Sequence, residues 1–275
     1  ILAAGADPQH GAYYMQELLK ARTLRKIVVD GMKLTWRDGL EFAGQIAAGL
    51  QALHEAGLVH GQLWPGSVLI TVDQDVKLEA AGGLAEPTRT LAEILNGPAL
   101  GYVAPERLRG ARALPAGDLF ALGGCLYFLY AGRDPYALRD SAAIVAAVCG
   151  QDPLPIKDQT DAVPPDGQEF IARLMARDPQ RRYASAAAVL ADIANMRAGK
   201  PLAPLQGGAP AAVPDIDATM MVSDAQRVAA LSKAQLAETS AAPAPAPQPA
   251  VAEAAPKPAQ RAPSSAGLRA TPSVS

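Results

Sequence analysis

The side chains that could do chemistry are concentrated in the loop His60–Ser67, HGQLWPGS. This loop holds an imidazole, an amide, an indole and a hydroxyl group, but no carboxylate. The segment 80–82, Ala-Ala-Gly, which follows the next predicted hairpin, has none either. Mg²⁺ binds chiefly to carboxylates and phosphates, and a glutamine amide does not accept a proton near neutral pH. Apart from the His60 imidazole, the loop therefore offers no side chain suited to acid–base or metal chemistry near neutral pH.

A helix is predicted before this loop and a hairpin after it. Thr35 and Asp38 are spaced as a capping box, and Gly57 follows the helix where a left-handed C-cap is common. Val68–Val72 and Val76–Leu78 are short apolar runs around an Asp-Gln-Asp turn, which predicts two strands. The apolar face of the helix recurs at helical spacing: Phe42, Ile46, Leu50 and Leu53.

This order of elements resembles the catalytic loop and metal-binding hairpin of eukaryotic-type protein kinases, H-R-D-L-K-P-x-N followed by D-F-G. In that family the loop aspartate accepts the substrate proton, and the asparagine and the D-F-G aspartate hold Mg²⁺. This chain departs from the pattern at six positions: Gly61 (arginine), Gln62 (catalytic aspartate), Trp64 (lysine), Ser67 (asparagine), Ala80 (D-F-G aspartate) and Ala99 (activation-segment threonine). Glu79 is interpreted as a solvated strand residue, with a substitute metal ligand as the alternative.

Three further motifs match the family in the expected order. The segment Gly101–Glu106 is similar to G-Y-M-A-P-E, Asp118–Gly123 to D-x-x-x-x-G, and Arg177–Tyr183 to K-D-P-x-x-R-Y. Asp166 and Ser185 are predicted to cap the last two helices.

The resemblance implies structural roles for four residues. His60 packs behind the loop, and Asp118 anchors the loop backbone. Glu106 and Arg182 form a buried ion pair. His54, near the end of the first long helix, is expected at the surface.

The implied fold is α+β and protein-kinase-like. Residues 1–19 are expected to be remnant N-lobe strands and hinge, with strands near Ile1–Gly5 and Ala12–Leu19, and residues 20–198 a mainly α-helical C-lobe. The glycine-rich loop and strand lysine that grip ATP in the family are expected upstream, because the chain contains neither and begins with Ile, as a fragment would.

Residues 199–275 are predicted to be a disordered Pro/Ala-rich tail that the lobe does not need for folding. Half of the 24 prolines and no aromatic residue lie after position 200, so little apolar surface is available to offset ordering entropy. The segment Ser223–Thr239 could form a helix, either transient or docking.

The composition limits which kinds of binding partner and which compartment are expected. A net charge of −2 gives no electrostatic reason to expect nucleic acid or an anionic membrane. Cys125 and Cys149 lie in apolar runs and are interpreted as buried, unpaired cysteines of a protein in a reducing compartment. The apolar run Phe120–Tyr130 is too short to span a bilayer. The expected location is the cytoplasm, either as a free chain or as part of a longer membrane-anchored one.

Two functions are consistent with these features. The first is a catalytically inactive kinase-like module that binds or regulates a protein partner, such as an active kinase or its substrate, with no cofactor or metal. The alternative is a divergent serine/threonine kinase fragment that uses ATP and Mg²⁺. Under that alternative, Glu17, Leu19 and Leu69 are the residues expected to line what remains of the nucleotide pocket.

Overall fold

The computed structural model describes the backbone of residues 3–7 and 11–15, and backbone and side chains of residues 17–79 and 97–205. The first described element is an antiparallel hairpin of β1 (Ala3–Asp7) and β2 (Gly11–Met15). Both predicted strands exist, but the first extends to Asp7 and the second ends at Met15. Residues 17–20 have no regular structure.

A second, three-stranded antiparallel sheet has the order β3-β4-β5. It consists of β3 (Ala21–Thr23), β4 (Val68–Thr71) and β5 (Val76–Leu78). The hairpin after the loop is therefore confirmed, with its first strand one residue shorter than predicted. Gln74 has a φ of 65° in the turn, and the Thr71 hydroxyl accepts a hydrogen bond from the Asp75 amide.

The other regular elements of the described chain are mainly α-helices. They are α1 (Leu24–Val29), α2 (Trp36–Glu55), α3 (Pro105–Leu108), α4 (Pro115–Ala131), α5 (Ser141–Gly150), α6 (Pro165–Leu174) and α7 (Ala186–Arg197). This mainly helical lobe with small antiparallel sheets belongs to the expected α+β class.

Helix α2 begins and ends at the predicted signals. The Thr35 hydroxyl accepts from the Asp38 amide while Asp38 accepts from the Thr35 amide, which completes the capping box. Beyond the other end, Gly57 adopts a φ of 74°. The apolar face of α2 is buried and packs against α4, α7 and β5.

Helix α4 forms the centre of the core and is buried from Asp118 to Leu129. It lacks a solvent face because other elements, chiefly α2 and α6, pack around it. Gly123 permits a close approach of α6, since a Cβ atom there would lie 2.7 Å from side-chain atoms of both Leu174 and Met175.

The cap predicted for α6 is wrong. The helix begins at Pro165 with Pro164 as the N-cap residue, so Asp166 lies inside the first turn. Proline favours the first helical position because its missing N–H would have no intrahelical partner there. Ser185 does cap α7, accepting from the Ala188 amide.

Contacts with the lobe continue beyond α7. Leu202 packs against the core. The Ala203 amide donates to Asp192 (2.7 Å), and its carbonyl accepts from Arg173 (2.6 Å). The last described residues therefore belong to the packed lobe.

Candidate functional site

The loop His60–Ser67 lies between α2 and β4 and is held in place by the first turn of α4. The buried Asp118 carboxylate accepts hydrogen bonds from the backbone amides of His60 (2.9 Å) and Gly61 (2.8 Å). Gly61 has a φ of 71°, a conformation in which glycine is strongly favoured. Gly61, which replaces the family's arginine, thus suits the left-handed backbone conformation at this position.

His54 is not the surface residue expected from the sequence. Its side chain is only 11% exposed, and its Nε2 atom lies 2.9 Å from Oδ2 of Asp118. A signal was available, because His54 follows Leu50 by four positions and so shares the buried face of α2. The anchor of the loop is therefore a three-residue cluster: His54, His60 and Asp118.

His60 is buried behind the loop, the position that the resemblance implies. Its Nδ1 atom accepts from the Gln62 amide at 3.4 Å. Burial lowers the pKa of His60 and outweighs the nearby negative charge of Asp118, which raises it. The neutral imidazole is thus favoured in the folded protein.

Ser67, at the asparagine position, directs its hydroxyl group into the loop. Its Oγ accepts from the Trp64 amide (3.1 Å) and lies 3.0 Å from the Trp64 carbonyl oxygen. The residue is buried. Its hydroxyl is therefore part of the turn that shapes the loop and is poorly placed as a metal ligand.

Trp64, at the lysine position, stacks on a cation. The Arg25 guanidinium lies 5.8 Å from the Trp64 ring centroid and 5.2 Å from that of Phe128, and Arg25 also pairs with Asp134 at 3.0 Å. A Cβ atom on Gly66 would lie 2.2 Å from the Trp64 ring, so glycine allows the ring to cover the loop. Trp64 therefore links the loop to α1 and α4.

A cleft of about 170 Å³ lies beside the loop. Its lining includes Gln62, Trp64 and Ala99, together with Arg107 and Arg112. Gly61 also lines the cleft, so the structure brings together four of the replaced positions, while Ala80 lies outside the described residues. Burial lowers the pKa of Arg107.

The residues expected around a nucleotide are not part of this cleft. Glu17 is exposed, and Leu19 is half-buried just before β3. Leu69 is half-buried in β4, between Thr23 of β3 and Lys77 of β5.

The segment after the cleft is tied to the core by the ion pair that the motifs implied. Arg182 donates to both carboxylate oxygens of Glu106, at 2.7 and 2.8 Å, and both side chains are buried. Arg182 also donates to three carbonyl oxygens, those of Ala176, Ala116 and Arg177. Its guanidinium lies 5.0 Å from the Phe120 ring centroid.

The residues at the kinase metal positions do not fit Mg²⁺. Ala80 has no ligand atom, the Ser67 hydroxyl belongs to the turn, and the nearby Asp118 oxygens already accept from loop groups. In the described ranges, no cluster of three or more His, Cys, Asp or Glu side chains could hold a metal ion.

Comparison with known proteins identifies the family. The model of the protein kinase domain matches residues 5–192, so this chain belongs to the protein kinase family. It is 32% identical to the serine/threonine-protein kinase PknL of Mycobacterium tuberculosis over 192 residues, covering 69% of this chain and 48% of PknL.

Two other relatives carry similar names. The chain is 31% identical to the serine/threonine-protein kinase PknA of M. tuberculosis, covering 80% of this chain and 52% of PknA. It is 25% identical to PknB of Mycobacterium leprae, covering 82% of this chain and 37% of PknB. The chain therefore spans about half the length of these relatives or less.

Across the described residues, no helix is both long and apolar enough to cross a membrane.

Proposed function

We propose that this chain is a catalytically inactive kinase-like domain that binds or regulates a protein partner. The observation that carries the proposal is the use of the replaced positions as structural parts of the loop. Ser67 closes its turn, and Trp64 stacks on Arg25.

Phosphoryl transfer needs a base for the substrate hydroxyl and metal ions for the triphosphate charge. At the base position, Gln62 offers an amide, which does not accept a proton near neutral pH and so cannot act as the base. Ser67 and Ala80 supply no carboxylate for Mg²⁺. Three required roles are therefore left without a suitable side chain.

The surfaces that remain suit recognition of a protein. The cleft beside the loop combines the Trp64 ring and small apolar side chains with the basic residues Arg107 and Arg112. Aromatic and arginine side chains are enriched at protein interfaces. An active kinase or one of its substrates is the kind of partner that we propose.

A divergent serine/threonine kinase is the second candidate. It is favoured by identities above 30% to two relatives that are named as serine/threonine kinases. In that case Mg²⁺ would have to bind through residues other than those at positions 67 and 80, and a group other than Gln62 would have to accept the substrate proton.

A thermal-shift titration with MgATP separates the two candidates when the protein tested includes the upstream residues that are expected to carry the glycine-rich loop and the strand lysine. We expect no stabilisation, because a ligand raises the melting temperature only if it binds the folded state. A saturating shift that requires Mg²⁺ would support the kinase alternative instead. A relative with intact motifs, tested in parallel, verifies that the assay detects nucleotide.

A phosphotransfer assay adds a direct test. Gln62→Asp restores the base alone, and we expect no transfer to a generic protein substrate, because catalytic groups that act as a unit are not additive. Measurable transfer by the unmodified chain or by this variant would contradict the proposal.

A further inference from the structure

A second groove lies away from the cleft and shares no lining residue with it. It runs between β3, the α1–α2 connection, the start of α2 and the β4–β5 turn, and has a volume of about 710 Å³. Its floor consists of buried apolar side chains, including Ile27, Phe42 and Ile70. On its walls Met32 is 43% exposed and Val72 is 78% exposed. We call it the α1–α2 groove.

The groove lies in the most basic part of the described lobe. Residues 20–38 contain six basic and two acidic side chains, a net charge of +4 in a chain whose total is −2. Lys20 and Arg22 line the groove itself. Asp38 also lines it, but its carboxylate accepts from the Thr35 backbone and hydroxyl groups. The groove therefore combines exposed apolar surface with positive charge.

The complementary composition occurs in the chain's own C-terminal part. Residues 206–226 contain three aspartates and no lysine or arginine. The segment Asp215–Asp224, DIDATMMVSD, places four larger apolar residues between these acids: Ile216, Met220, Met221 and Val222. In the rest of the chain, after position 226, acidic and basic residues both occur.

The described chain ends eight residues after α7, and the last residue of α7 contacts the start of α2. At the end of α7, Arg197 donates to the Leu40 carbonyl (3.2 Å) and to Glu41 (2.7 Å), near the start of α2 where Asp38 and Phe42 line the groove. From Leu205 to Asp215 there are ten residue steps, which span up to roughly 33–36 Å when extended. For comparison, helix α2, with 20 residues, is about 30 Å long, so the extended tether can span a distance of that order.

We propose that the segment Asp215–Asp224 binds in the α1–α2 groove of the same chain. Its apolar side chains cover Met32 and Val72, and its aspartates lie near Lys20 and Arg22. Because a short tether gives an effective concentration in the millimolar range, a weak intrinsic affinity is enough. This contact does not depend on whether the cleft transfers phosphate.

Disulfide trapping in the full chain tests the contact. Val72→Cys with Ser223→Cys places one thiol on the groove and one in the segment. The matched control pairs Ser223→Cys with Leu154→Cys, since Leu154 is 55% exposed and lines a different cavity. Under mild oxidation we expect the groove pair to form its intramolecular disulfide about tenfold faster than the control pair. Equal rates would overturn the proposal.

The charge contribution is measured on the same groove pair. Lys20→Glu with Arg22→Glu should slow trapping roughly three- to tenfold, because exposed ion pairs contribute modestly. Raising the salt concentration should slow it without any further substitution, by screening. Trapping that is indifferent to both changes, or that joins light to heavy chains in an isotopically mixed sample, contradicts binding of the chain's own segment.

Discussion

Arg182 shows how completely a charged side chain can be accommodated in this lobe. It has no exposed surface, and its guanidinium makes five hydrogen bonds, two of them to Glu106. A buried charge is tolerated when it is paired and its hydrogen-bonding groups are satisfied. The pair joins the segment before α4 to the turn before α7.

Removing either partner should therefore destabilise the lobe strongly. We expect Glu106→Gln or Arg182→Met to lower the free energy of unfolding by about 3–5 kcal/mol, because each leaves a buried charge unpaired. Urea denaturation measures the change. Arg181→Met is the matched control, since Arg181 is exposed and should change stability by less than about 0.5 kcal/mol. Similar losses for the Arg181 and Arg182 variants would contradict the role of the pair.

His60 should make the stability depend on pH. Burial lowers its pKa in the folded state below the ordinary value of 6.5, so the unfolded chain binds a proton more readily. Its contribution is present above pH 6.5 and is lost as the pH falls below that value. One proton accounts for a slope of at most about 1.4 kcal/mol per pH unit.

The readout is the difference between two pH profiles. Between pH 7 and pH 5, stability should fall more steeply in the unmodified chain than in His60→Asn, whose amide oxygen can still accept from the Gln62 amide. Denaturant unfolding at constant ionic strength provides both slopes. Parallel profiles would show that His60 does not cause the dependence.

At the scale of elements, α4 organises the lobe. Its first turn holds the loop through hydrogen bonds to Asp118. Its middle packs closely on α6 at Gly123, and near its end the Phe128 ring faces the Arg25 guanidinium. The helix can do this because nearly its whole surface is buried. The loop is therefore held in place by α4 although the residues of the kinase motif are replaced.

Asp118→Asn should loosen this attachment. The amide can accept through one oxygen only, so the backbone amides of His60 and Gly61 cannot both keep their bonds. We expect a loss of about 1.5–3 kcal/mol, the range for hydrogen bonds to charged groups. Hydrogen exchange should accelerate at the loop amides. Asp161→Asn, at an exposed position, is the control, and unchanged exchange in the loop of Asp118→Asn would refute the anchor.

At the scale of the whole molecule, the packed lobe extends to the last described residues. Leu202 contacts the core, and Ala203 bonds to both α6 and α7 through Arg173 and Asp192. The expectation that everything after Lys200 is dispensable for folding stays a prediction, and these contacts lead us to expect that residues 201–205 stabilise the lobe.

Two truncations locate the end of the folding unit. Ending the chain after Leu205 should leave the melting temperature nearly unchanged, because a weakly bound segment stabilises the lobe by well under about 1 kcal/mol. Ending it after Lys200 removes Leu202 and both Ala203 bonds, and should cost roughly 1–3 kcal/mol. That corresponds to a fall of about 2–12 °C for a lobe of this size. Equal melting temperatures would show that residues 201–205 contribute nothing.

Much of the fold could be predicted because its signals act locally or belong to a recognisable motif. The capping box of Thr35 and Asp38 and the turn around Gln74 depend on neighbours within about four residues. The α+β class and the kinase family followed from several motifs in a fixed order, which comparison with known proteins bears out. The replaced residues at positions 62, 64 and 67 were also readable from the sequence alone.

Only the tertiary structure decided what the replacing side chains do. His54 reaches Asp118, 64 positions away, and Trp64 stacks on Arg25, which Phe128 also contacts. Such contacts depend on which faces of distant elements are packed together, and local propensity does not encode them. The sequence thus determined which residues of the kinase motif are replaced in this chain, while tertiary packing decided that Trp64 and Ser67 became structural parts of the loop.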